Sequence, residues 1–208
     1  MSRAGAFLRL GAAMAIALAL SGCVSLLPKS KPAQLYRFGA THAQPTRRPP
    51  GSSTVGVFWS DGAFQRESAA DRILTVTGDK VAYIAEVRWA APAEVLFDQA
   101  VFDAFDAAGG RVRLAPRGAP APTDFVLRVD VRDFETRYES GPNAAPTVLV
   151  RLHATLTRDR GHTLLSDQLF EARAPAADNR VGAIVAAYDK AVNDVLAQLV
   201  AWTNEKTS

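Results

Sequence analysis

Alternating apolar and polar residues predict three long strands in the second half of the chain, over residues 125–138, 147–159 and 164–174. In the first strand, apolar side chains at odd positions alternate with mostly polar ones at even positions, so one face is buried and the other faces water. The turn at residues 159–162, Asp-Arg-Gly-His, joins the second strand to the third. We therefore expect these strands to form an antiparallel meander.

Shorter apolar runs predict further strands in the first half of the chain, at residues 35–38 and 54–59. Residues 73–77 and 81–87 form two more runs, separated by Gly78-Asp79-Lys80. Two runs around a short turn that contains glycine are typical of a β-hairpin.

Helical periodicity predicts two helices. Pro92 suits the first position of one helix, whose apolar pattern continues to Ala108 and ends at Gly109-Gly110. The other is expected to begin near Asp178, which can cap its N-terminus. The apolar stripe of that helix comprises Val181, Ile184, Val185, Tyr188, Val192, Val195, Leu196 and Leu199. The order of elements predicts a single-domain α+β fold, a mostly antiparallel sheet with two main helices packed on one face.

The first 22 residues have the features of a cleaved signal peptide. Arg3 and Arg9 accompany the apolar run at residues 10–20, which is shorter than the roughly 20 residues that a transmembrane helix needs. Leu20-Ser21-Gly22-Cys23 follows directly and resembles the bacterial lipobox, in which cleavage falls between Gly22 and Cys23 and the cysteine is acylated. The alternative is an ordinary secretory signal with a cysteine nearby by chance. We prefer the lipobox because the only cysteine of the chain occupies its required place.

An acylated Cys23 would hold the mature protein on a membrane. One acyl chain binds only marginally, so the three chains that the lipoprotein resemblance implies, palmitate among them, would anchor it essentially permanently. In the sorting rule of enteric lipoproteins, Asp after the cysteine retains the protein in the inner membrane. Val24 therefore points to the periplasmic face of the outer membrane. We divide the chain into a signal peptide (1–22), a lipidated tether (23–34) and an α/β domain (35–208).

Charge and composition exclude several classes of protein. The chain has 24 basic and 21 acidic residues, a net charge of +3, and a pI of about 9.2. Removing residues 1–22 deletes Arg3 and Arg9 but no acid, which leaves 22 basic residues against 21. No nucleic-acid partner is expected of so small a surplus. A single cysteine also excludes a disulfide scaffold.

Motifs for catalysis, metals and cofactors are not found. His42, His153 and His162 do not show metal-ligand spacing, and no GxSxG nucleophile elbow occurs. We interpret His153 as a surface or hydrogen-bonded strand residue. Asp98, Asp103 and Asp106 are expected to mark the solvent side of the first helix. We predict a protein that is not an enzyme and has no catalytic residues, no metal and no cofactor.

The order of several short motifs resembles the ABC-type transport auxiliary lipoproteins, a family that includes the paraquat-inducible lipoprotein of enteric bacteria. The motifs are Leu20-Ser21-Gly22-Cys23, Leu35-Tyr36-Arg37-Phe38, Val81-Ala82-Tyr83, Arg88-Trp89-Ala90 with Pro92, Ala121-Pro122-Thr123-Asp124, Leu152-His153-Ala154, Phe170 and Ala201-Trp202. They span essentially all of the mature chain. We interpret Trp89 as a core residue at a strand–helix junction rather than a partner contact.

The resemblance implies an accessory subunit of a lipid transport system built on a mammalian-cell-entry (MCE) protein. The partner would be the MCE protein, with a lipid as the transported substrate, and the role would be docking and tethering. Whether the chain forms a homo-oligomer is left open. Two alternatives remain: a lipid-anchored structural or assembly factor without a transporter, and a lipidated periplasmic hydrolase.

Labelled palmitate is expected to enter the wild-type chain and not the Cys23→Ala variant, because the lipobox places the acyl chains on that residue. The measurement is incorporation of the label in growing cells, followed by purification and gel analysis. Equal labelling of the two proteins would contradict the lipoprotein prediction.

Overall fold

The computed structural model describes residues 32–39, 54–116, 118–119, 122–159 and 163–208. The predicted signal peptide, Gly22 and Cys23 lie outside these residues. In chain order the elements are β1 (Gln34–Tyr36), β2 (Val55–Phe64), β3 (Leu74–Thr77), β4 (Lys80–Tyr83), β5 (Val87–Trp89), α1 (Ala93–Ala108), β6 (Val112–Ala115), β7 (Phe125–Arg137), β8 (Thr147–Arg158), β9 (Thr163–Pro175) and α2 (Val181–Lys206).

Strand β7 is the centre of a seven-stranded sheet. Along one edge it pairs antiparallel with β8, which pairs antiparallel with β9, so the predicted meander is confirmed. Along its other edge β7 pairs in parallel with β2 and, at Thr136 and Arg137, with β3. Strand β2 also pairs in parallel with β6, and β3 forms an antiparallel hairpin with β4. The longest pairings are antiparallel, and the predicted α+β class is confirmed.

Three local features differ from the sequence prediction. The run at residues 81–87 does not continue as one strand, because Glu86 has a φ of 57° and turns the chain out of the hairpin. Strand β5 follows this turn and pairs with β1 in a separate two-stranded parallel sheet. Strand β6 was not anticipated, since its four residues precede a stretch rich in alanine and proline.

Helix α1 ends as predicted, because Gly109 adopts a left-handed conformation with a φ of 59°. The predicted cap at Asp178 is wrong. Helix α2 begins at Val181 and its N-cap residue is Arg180, without a side-chain hydrogen bond. Asp178 instead accepts a hydrogen bond from the Arg180 backbone N–H at 2.9 Å and pairs with the Arg180 guanidinium. Its carboxylate is therefore engaged before the helix starts.

Six aromatic rings form the centre of the core, and we call them the Phe134 cluster because that residue contacts all the others. Phe134 is 1% exposed, and its ring centroid lies 4.9 Å from Tyr188 and 5.0 Å from Phe38. The other members are Phe64, Trp89 and Phe97. Trp89 is 2% exposed, which confirms it as a core residue. The six rings come from the segment just after β1 and from β2, β5, α1, β7 and α2, so the cluster joins these parts of the fold.

Polar groups next to the cluster have partners. The Thr136 hydroxyl donates a hydrogen bond to the Tyr188 hydroxyl at 3.2 Å, and burial raises the Tyr188 pKa far above its ordinary value. Buried Glu135 accepts hydrogen bonds from Gln65 at 2.9 Å and Arg137 at 2.7 Å. Because these groups are hydrogen-bonded, their burial does not carry the full desolvation penalty.

Replacing Phe134 with Ala is expected to lower the free energy of unfolding by about 3–5 kcal/mol, because a large cavity opens where five rings meet. Urea denaturation of the purified protein measures the change. The matched control is Leu169→Ala, whose side chain is 51% exposed and whose removal should cost less than about 0.5 kcal/mol. Equal losses for the two variants would contradict the central role of Phe134.

Candidate functional site

The first described residues of the chain are tied to the domain by backbone pairing. Strand β1 aligns with β5, so that Gln34 lies opposite Val87 and Tyr36 opposite Trp89. The Gln34 N–H donates to the Glu86 carbonyl at 2.8 Å, and the Ala90 N–H donates to the Tyr36 carbonyl at 2.8 Å. We call residues 34–39 the N-terminal junction.

Near the end of the N-terminal junction, the Phe38 side chain enters the core. Phe38 is 3% exposed and its ring lies edge-on to Trp89 with 4.9 Å between the centroids. The Gly39 N–H then donates to the Asp189 carboxylate at 2.9 Å. Gly39 has a φ of 70°, and a Cβ atom there would lie 2.6 Å from the Cβ of Ala100. Both the backbone angle and the contact with α1 therefore require glycine.

A groove of about 450 Å³ lies between α1 and α2 and begins at Gly39. We call it the interhelical groove. Alanines at helical spacing form both walls, because small residues three or four positions apart share one helix face. The lining residues are Gly39, Ala100, Asp103, Ala104, Ala107, Ala108, Asn193, Leu196, Ala197, Val200 and Ala201.

The Gly39 end of the interhelical groove is polar. A small adjoining depression is lined in part by Arg37, Gln99 and Asp103 and shares Gly39 and Ala100 with the groove. Beside it, the Asp189 carboxylate is held by the Gly39 N–H and accepts a further hydrogen bond from the Asn193 side chain at 3.3 Å. The groove is therefore apolar along most of its length. Its mouth, at the Gly39 end, is lined by side chains of both positive and negative charge.

A second pocket of about 240 Å³ contains three carboxylates, from Asp61, Glu94 and Asp98. Burial and then the negative charges of Asp61 and Glu94 raise the pKa of Asp98 to about 6. The Trp59 indole N–H makes no hydrogen bond of regular geometry within the described part of the chain, yet it lies close enough to Asp98 to lower this pKa in part. Asp98 is half-buried, so the prediction of a solvent-side carboxylate is wrong for it, whereas Asp103 and Asp106 are exposed as predicted.

Of the three histidines, the structure describes His153 alone. His42 and His162 lie outside the described residues. His153 lies on β8 with its Nε2 atom 3.2 Å from an Asp167 carboxylate oxygen, which confirms the interpretation as a hydrogen-bonded strand histidine. Among the residues that the structure covers, no group of three or more His, Cys, Asp or Glu side chains could hold a metal ion. Neither described helix has the length and apolar composition needed to cross a membrane.

The interhelical groove was missed by sequence reasoning, although a signal was present. Ala100, Ala104 and Ala108 recur at a spacing of four on α1, and Ala197 and Ala201 do so on α2. Such stripes show that small side chains share a helix face, but not that two stripes face each other. The raised pKa of Asp98 had no sequence signal, because it depends first on burial in the folded domain and then on Asp61 from a distant strand.

The structure is a small α+β domain in which the N-terminal junction is held by β pairing and by the buried Phe38 ring. A family model described as the ABC-type transport auxiliary lipoprotein component matches residues 69–200. The chain belongs to this family, and the resemblance inferred from the sequence is confirmed. The family is one of auxiliary lipoproteins associated with ABC-type transport and is not a known enzyme family.

Solved structures share the fold. A Xanthomonas campestris protein of the DUF330 family is similar with a TM-score of 0.71 and 22% identity, over 84% of this chain and 97% of that chain. A protein described as uncharacterized is similar with a TM-score of 0.60 and 16% identity, over 86% and 100% of the two chains. At such identities the likeness establishes the fold alone. No curated protein matches the chain.

The raised pKa of Asp98 predicts a pH-dependent stability. The folded protein binds the Asp98 proton more tightly than the unfolded chain does. The contribution of this proton to the free energy of unfolding is therefore complete below about pH 4 and is lost as the pH rises through about 6. We expect Asp98→Asn to be more stable than wild type at pH 7, by on the order of 1 kcal/mol because the carboxyl is half-exposed, and the difference to vanish toward pH 4.

Urea denaturation at a series of pH values between 4 and 7 measures this difference. Asp106→Asn, which removes an exposed carboxylate from the same helix, is the control. A difference between wild type and Asp98→Asn that stays constant over this range would show that Asp98 titrates alike in the folded and unfolded chains.

Proposed function

We propose that the protein is a lipoprotein anchored through Cys23 to the periplasmic face of the outer membrane, where it docks the MCE protein of an ABC-type lipid transport system. The observation that carries the proposal is the family match over residues 69–200. Leu20-Ser21-Gly22-Cys23 supports the anchor, and Val24 supports the outer membrane.

The N-terminal junction supports a tethering role. Residues 34–39 begin at the last residue of the predicted tether and are held by β pairing, by the buried Phe38 ring and by Asp189. A tether of about 12 residues could reach roughly 40 Å when extended and would average nearer 20 Å. A docked partner would therefore meet the domain within a few tens of ångströms of the membrane.

The side chains that the structure describes favour a docking role over hydrolysis. His153 is the one histidine within the described residues, and its contact is with Asp167. Asp98 is a carboxyl that can exchange a proton near pH 6, but a general acid or base acts only beside a reacting group. The interhelical groove is lined mainly by alanine methyl groups, which can contact a ligand but cannot act as acids, bases or nucleophiles.

Affinity purification of the full chain from mildly solubilised membranes is expected to recover an MCE protein. The chain carries a tag after Ser208, which is exposed, and bound proteins are identified by mass spectrometry. Cys23→Ala is the matched variant: it should lose the membrane location and recover less MCE protein, because the local concentration at the membrane falls.

Two outcomes would contradict this proposal. One is repeated recovery of the folded wild-type chain without an MCE protein under conditions that preserve other envelope complexes. The other is recovery of envelope assembly proteins alone, which would favour the structural alternative.

A further inference from the structure

We propose that the interhelical groove binds one acyl chain of a zwitterionic phospholipid, with the headgroup in the depression at Arg37 and Asp103. This inference rests on the proposed function for the presence of a membrane near the domain. The lipid class, however, is argued from the shape and the charges of the groove.

The dimensions of the groove suit a slender occupant. Its α1 wall runs from Ala100 to Ala108, a length of about 12 Å at the helical rise of 1.5 Å per residue. Its volume of about 450 Å³ falls within the range of small-molecule sites. That wall is only about two helical turns long, so a partner α-helix would make few contacts along it.

The chemistry of the walls separates an alkyl chain from an extended peptide. A peptide would bring N–H and C=O groups into the groove, and each would need a hydrogen-bond partner. The walls offer mostly methyl groups, because the backbone amides of α1 and α2 are used within the helices. An alkyl chain has no polar group to satisfy and gains from burial against Leu196, Val200 and the alanines.

The charges at the mouth fit a headgroup that carries both signs. Arg37 and Asp103 line the same depression. A guanidinium is well suited to a phosphate, and a carboxylate to an ammonium group. Asp189 adds negative charge beside the mouth and is held in place by Gly39 and Asn193. A headgroup with a net negative charge, or a free fatty acid, would therefore bind less well.

Photolabelling in vesicles tests the proposal. The full acylated chain is reconstituted into phosphatidylcholine vesicles that contain a small fraction of phosphatidylethanolamine with a diazirine in one acyl chain. After irradiation, adducts are mapped by peptide mass spectrometry. We expect them on residues 100–108 of α1 and 193–201 of α2, and roughly fivefold fewer with a phosphatidylglycerol probe that has the same acyl chain.

Variants at exposed positions test the site without disturbing the core. Ala197→Phe fills the groove from α2 and should reduce groove adducts by about tenfold. Ala186→Phe, at an exposed position of the same helix outside the groove, is its control. Asp103→Asn should reduce the preference for phosphatidylethanolamine, and Asp106→Asn should leave it unchanged. Circular dichroism confirms that each variant is folded.

Four results would overturn the inference: adducts spread evenly over the domain, groove adducts that persist in Ala197→Phe, equal labelling by the two probes, or no adducts in the groove. Recovery of the MCE protein is measured on the same variants. Intact recovery with no lipid adduct contradicts this inference alone, whereas groove adducts without recovery contradict the proposed function alone.

Discussion

The Phe134 cluster is the contact on which the rest of the domain depends. Strand β7 carries Phe134 in the middle of the sheet, and the rings around it come from both helices, two other strands and the N-terminal junction. Aromatic rings bury large apolar areas and prefer the tilted and edge-on arrangements found here. One cluster therefore determines at once where α1, α2 and residues 34–39 lie against the sheet.

That arrangement connects the N-terminal junction to the interhelical groove. Phe38 is held in the cluster, and the next residue, Gly39, contacts Ala100 of α1 and Asp189 of α2. The chain that leads to the predicted anchor thus forms one end of the groove. A ligand in the groove would therefore lie next to the N-terminal junction.

Most elements could be predicted from the sequence, because they depend on local periodicity. The long strands β7, β8 and β9 alternate in polarity over many residues, and α1 ends at a glycine that adopts the left-handed conformation. The failures fall where a local pattern is short or ambiguous. Strand β6 has four residues, Glu86 takes a positive φ without being glycine, and the Asp178 carboxylate pairs with Arg180 before α2 begins.

By itself, the sequence determined the fold class, the family resemblance and Cys23 as the predicted site of acylation, because each can be read from residues that are neighbours in the chain. Only the tertiary structure decided that the alanine stripes of α1 and α2 face each other, that Gly39 forms one end of the groove, and that burial and Asp61 raise the pKa of Asp98. These properties arise between residues far apart in sequence, and distances between such residues are set by packing around Phe134.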